Sequence, residues 1–70
     1  MSEYYTPEIE HKTTVLIQQR FHVSKERAQR LAVAALNGIE SHGLNPNNWN
    51  TVSETVEVVV SSWIKSEYLL

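Results

Sequence analysis

The sequence predicts an all-α fold, a small three-helix bundle. Three observations carry this. Apolar residues recur at helical spacing in three separate stretches. Each stretch opens on a residue suited to capping a helix. The stretches are separated by a short joint and by an Asn/Pro-rich loop. The expected helices span about residues 7–21, 24–42 and 51–67 of a single 70-residue domain.

The first helix has a well-marked start. Thr6 can cap, Pro7 suits the first helical position, and Glu8 lies where the helix dipole favours negative charge. Ile9, Thr13, Leu16, Ile17 and Phe21 fall on one side. The β-branched run from Thr13 to Ile17 has strand propensity, but the cap and the polar Gln18-Gln19-Arg20 that follow it favour a helix. Phe21-His22-Val23 is too short a joint to separate neighbours, so the second helix packs beside the first.

The second helix is the organising element. Ser24 is its expected cap. Ala28, Leu31, Ala32, Ala35, Leu36 and Ile39 recur at the i, i+3, i+4, i+7 spacing of one face. Gly43 is placed to end it in a left-handed conformation, folding Leu44 back toward Ile39 in a Schellman motif. Gly38 lies inside the helix, at a cost of about 1 kcal/mol relative to Ala. With Ala34 it forms a small-x-x-x-small pair. This is either a place where another helix comes close, in this chain or a partner, or a tolerated glycine near the helix end.

Residues 44–50 form a loop, in which Pro46 biases Asn45 away from helix. Trp49 is either a lid on one end of the core or an exposed anchor, with the lid favoured because a lone large aromatic usually finds burial in its own domain. Thr51-Val52-Ser53-Glu54 matches a capping box. The valines that follow have strand propensity, but the period overrules it: Val52, Val56, Val59, Val60, Trp63 and Ile64 share one face, with Thr55, and Val58 is the one apolar residue opposite. Leu31→Asp or Val59→Asp is therefore expected to unfold the domain by burying an unpaired charge.

Size and composition bound the rest. A chain of 70 residues sits where a single core is marginal, and chains below about 70–80 residues usually need a staple, a metal or a partner. There is no Cys, so neither a disulfide nor a thiolate site exists. No apolar run approaches the ~20 residues of a membrane span, and no signal-peptide pattern is present. The expectation is a soluble protein of the cytoplasm, with no membrane association. Net charge is −2, unlike that of a strongly basic nucleic-acid binder.

Catalysis finds no candidates. Glu8-x-x-His11 is the one spacing with metal precedent, but such sites need further carboxylates from facing helices. The serines lie on caps and polar faces with no base at a useful spacing. Glu54 and Glu57 lie on the outer face of the third helix, where nothing encloses them to shift their acidity. A bundle of this size also has little room for a cofactor pocket. The expectation is no catalytic residue, no metal and no cofactor.

Two readings remain. In the first, the chain is a non-catalytic interaction module that binds a protein partner or, as a homo-oligomer, itself, dimerisation completing the marginal core. The candidate contact residues are Trp49, Tyr4, Tyr5, Tyr68, Ala34 and Gly38, with Val33, Val58 and the Leu69-Leu70 tail as further apolar positions. Residues 1–5 are expected to be a frayed arm and 68–70 a tail. The second reading is a resemblance. Ile17, Phe21, Val23, Ala28 and Leu31, with the Val23-Ser24 step, resemble the helix-turn-helix DNA-binding motif. His22 stands where that motif usually has Gly, and Gln18 where it usually has a small residue. The resemblance implies that Lys25, Arg27 and Arg30, with Glu26, face the DNA groove.

Overall fold

The computed structural model describes residues 5–69, with side chains described for residues 5–66. Three α-helices follow one another, α1 over Pro7–Phe21, α2 over Lys25–Ser41 and α3 over Trp49–Leu69. All three pack on one another, α1 and α2 most extensively, and there is no strand among the described residues. The architecture is the expected all-α three-helix bundle.

The first two caps form as the sequence implies. Thr6 Oγ1 accepts from the Ile9 N–H at 3.2 Å, and Pro7 occupies the first turn, where its missing N–H costs nothing. Ser24 Oγ accepts from the Arg27 N–H at 3.1 Å. The doubtful Thr13–Ile17 stretch is helical. Thr13 Oγ1 donates to the Ile9 carbonyl at 2.7 Å and Thr14 Oγ1 to the Glu10 carbonyl at 2.9 Å. Each hydroxyl is thereby satisfied within the helix while its methyl packs inward. Thr14 is buried while Leu16 and Phe21 are only half-buried.

His22 ends α1 in the left-handed region, at φ 55° and ψ 43°, a conformation usually reserved for Gly and tolerated by His better than by most residues. α2 ends in the expected Schellman arrangement. Leu44 N–H donates to the Ile39 carbonyl and Gly43 N–H to the Glu40 carbonyl, with Gly43 at φ 82°.

The start of α3 corrects the sequence expectation. The helix begins at Trp49, not at Thr51. Asn48 supplies the cap, its Oδ1 accepting from the Thr51 N–H at 3.3 Å, so the Thr51–Glu54 capping box does not form. The cause is the turn before it. Asn45 Oδ1 accepts from the Asn47 N–H and the Asn45 carbonyl from the Asn48 N–H, with Pro46 at its favoured position in the turn. That turn delivers the chain into helical geometry at Trp49.

One core holds the three helices together. Ile17 of α1, Ala28, Ala32 and Leu36 of α2, and Val52, Val56 and Val60 of α3 are all fully buried. Ile9, Ala35 and Ile39 join them. Leu31 and Val59, expected in the core, are only half-buried. Among the described residues no buried side-chain nitrogen or oxygen lacks a hydrogen-bond partner. At the edge of the core an Arg20–Glu57 ion pair joins the last turn of α1 to α3.

Candidate functional site

The surface feature that stands out is an apolar groove between α2 and α3. It has a volume of about 350 Å³. Ala34 and Gly38 of α2, with His42 at its C-cap, form one wall, and Thr55, Val59 and Trp63 of α3 the other. Leu44 closes one end, with Ala35 and Ile39 also lining the groove.

The groove exists because two helices each present more apolar arc than the domain covers. On α2 the buried stripe is Ala28, Ala32, Ala35, Leu36 and Ile39. A second stripe beside it, at helical spacing, passes through Ala34 and Gly38. On α3 the buried stripe is Val52, Val56 and Val60, and its neighbour is Thr55, Val59 and Trp63. Small residues on α2 leave the second stripes apart. A Cβ added at Gly38 would meet nothing within 4 Å, so this glycine serves no close helix approach within the chain.

Two large apolar side chains stand at this site, Trp63 at 37% and Leu44 at 48% exposure. Charge is sparse along it. The α2 flank in line with Ala34 and Gly38 is Arg27, Arg30, Ala34, Gly38 and Ser41, by the i, i+3, i+4 rule. Its charge therefore lies at one end only. The matching flank of α3, Thr55, Val59, Ser62 and Ser66, carries none. His42 is held in place, its Nδ1 lying 2.8 Å from the Gly38 carbonyl oxygen.

Other depressions differ in kind. One lies on the outer face of α3 among Glu54, Glu57, Ser61 and Lys65, another on α2 among Glu26, Gln29, Arg30 and Asn37. Both are shallow and rimmed by charged residues. Val58, at 71% exposure, stands alone among the large apolar residues of that outer face.

The sequence-derived contact residues divide. Ala34 and Gly38 line the groove. Trp49 does not. It is half-buried against the core, and the Lys12 ammonium sits 4.8 Å from its ring centroid, which makes it the lid on one end of the bundle. Tyr5, expected in the frayed arm, is the one residue of that arm among the described residues. It is buried, at 7% exposure, and next to it the Thr6 N–H donates to Asn47 Oδ1 at 3.0 Å, tying the start of α1 to the loop. Burial, followed by the nearby Glu10 charge, pushes the Tyr5 phenol above its ordinary acidity range. Tyr4 and Leu70, and the side chains of Tyr68 and Leu69, lie outside the described residues.

Lys25 and Arg30 are exposed and Arg27 is half-buried. Lys25 and Arg27 are two positions apart on a helix and point to different sides. Arg20 is engaged with Glu57. Of the basic residues around the first joint, Arg27 and Arg30 share a flank of α2, and Arg20 and Lys25 do not join them.

The sequence places Trp63 with the core and gives Leu44 only its capping contact with Ile39. The cue for Trp63 was its position: a large aromatic at the edge of an arc wider than two neighbours can cover.

Among the described residues, no group of three or more His, Cys, Asp or Glu is close enough to hold a metal ion, and no helix is long and apolar enough to cross a membrane. No family model matches the chain, and no curated protein or solved structure matches it either.

Proposed function

We propose that this chain is a non-catalytic, self-associating helical module that packs through the α2–α3 face against a second copy of itself. The observation that carries the reading is the groove, an apolar channel about 350 Å³ in volume with two exposed large apolar side chains at its edge. Three features favour a second copy as its occupant. Residues along both flanks are uncharged apart from the arginines at one end, so most of the face meets its copy without bringing like charges together. The groove runs between two helices of a molecule measuring 32 × 22 × 21 Å, so a copy of the same dimensions can lie along it. The same face presents both projecting and recessed apolar groups, as a two-fold interface requires. Sedimentation velocity from micromolar to millimolar concentration tests this. A shift from the 8.0 kDa monomer toward the dimer is expected, and a monomer at every concentration would sink the reading.

DNA binding is the second reading. It is favoured by the left-handed His22, which lets a three-residue turn join two packed helices as in the helix-turn-helix motif it resembles. Only Arg27 and Arg30 among the basic residues share a flank, and Arg20 is paired with Glu57, which ranks it below self-association. Anisotropy of a labelled duplex at low salt decides it: binding that weakens steeply with salt, and that Arg27→Ala with Arg30→Ala reduces, supports this reading. Absence of binding at low salt eliminates it.

A further inference from the structure

We infer that the two copies lock by a reciprocal knob and hole, Trp63 of each entering the space above Gly38 and Ala34 of the other. The inference rests on the self-association reading and adds its geometry. Gly38 lacks a side chain and has open space where one would be, beside Ala34, which is exposed. This is a recess on the surface of a helix rather than a site of internal close packing. Across the groove stands Trp63, the largest side chain lining it, with 37% of its surface exposed. Within one copy the ring and the recess face the same channel without filling it. A two-fold axis through that channel carries each Trp63 onto the other copy's recess, so both contacts form together or neither does. Aromatic residues set in a pocket of small residues at the centre of an interface are the usual carriers of binding energy.

The test is a complementation experiment read by sedimentation velocity. Gly38→Leu fills the recess and Trp63→Ala removes the knob. Each alone is expected to weaken dimerisation by more than about tenfold. In an equimolar mixture one knob–hole contact is intact, and at the other the new leucine occupies the space the missing indole left. The mixture is therefore expected to associate more tightly than either variant alone. Wild-type dimers with both variants dimerising as well as wild type would overturn the knob and hole while leaving self-association standing. So would a mixture no tighter than its components. A monomeric wild type would overturn both. Far-UV circular dichroism checks that each variant is folded. Gly38→Leu should pass, since leucine favours helix over glycine. Should Trp63→Ala lose its helix, Trp63→Leu replaces it in both arms.

Discussion

The two flanks of α2 contrast. On the α1 side the helices close on each other. Ile17 and Thr13 have no exposed surface, and Ala28 and Ala32 have none either. Gln29 Nε2 reaches Glu10 Oε2 at 3.4 Å across the outside of that seam. On the α3 side the central valines are just as buried, yet one stripe further round the packing stops, and Ala34, Gly38, Val59 and Trp63 border a groove. The same device, small residues on α2, has opposite results on its two flanks. Where a bulky residue of the neighbouring helix fills the space, alanine permits close approach. Where none does, alanine and glycine leave a recess. A short chain with three helices can close only so many of its apolar arcs, and the arc left over is the one available for interaction.

The largest expected effect tests whether the sealed core holds the whole domain. Leu36→Asp or Val56→Asp buries an unpaired charge at a fully inaccessible position. Either is expected to abolish the helical circular dichroism signal, because the cost exceeds the ~3–5 kcal/mol a core of this size supplies. A cooperative melt in either variant would break the assignment of the core. These positions replace Leu31 and Val59, whose half-burial lets a carboxylate reach water.

The next effect compares the flanks directly. Ile17→Ala removes a fully buried side chain and is expected to cost about 2–5 kcal/mol. Val59→Ala, on the groove wall, is expected to cost the monomer less than about 1 kcal/mol, since much of what it removes already faces the groove. Urea denaturation at low protein concentration measures both. Equal losses would mean that the groove wall is as tightly packed as the α1 seam, and the contrast would fail.

Much of this was legible in the sequence, for identifiable reasons. Thr6, Ser24 and Gly43 each act within a few residues of their own position, and all three work as expected. The buried face of α2 follows from period alone. What was not legible depends on neighbours. Thr51–Glu54 is a sound capping box, but the Asn45–Asn48 turn, closed by its own hydrogen bonds, fixes the helix start two residues earlier. Tyr5 is buried beside a residue that bonds to Asn47, a contact 41 positions distant. Periodicity gave the direction in which the α3 apolar arc points, and not how much of that arc two other helices would cover. Trp63 and Val59 therefore read as core, although they border a groove.

Backbone substitutions sharpen the contrast at smaller scale. Gly38→Ala is expected to stabilise the monomer by about 1 kcal/mol, the helix-propensity difference, because nothing stands where the new methyl would lie. A loss of stability in thermal denaturation would mean that some side chain already occupies the recess. His22→Val, on the sealed side, is expected to lose about 1–2 kcal/mol, since a β-branched residue resists the left-handed conformation that joins α1 to α2.

The smallest effect lies in alkaline solution and belongs to the sealed part of the molecule. The folded protein holds the Tyr5 phenol above its ordinary value of about 10, chiefly because burial disfavours the phenolate and secondarily because Glu10 repels it. The unfolded chain then loses its proton at lower pH than the folded one. The stability this contributes is fully present below the unfolded value and is lost as pH rises through the folded one. Stability should therefore fall above about pH 10. Lysine side chains titrate in the same range, so the informative quantity is the difference between wild type and Tyr5→Phe. The variant should lose less stability than wild type between neutral and strongly alkaline pH, in paired urea titrations. Identical slopes would mean that the Tyr5 ring is as open to solvent in the folded chain as in the unfolded one. Tyr5 would then belong with the frayed arm expected from the sequence and not with the core.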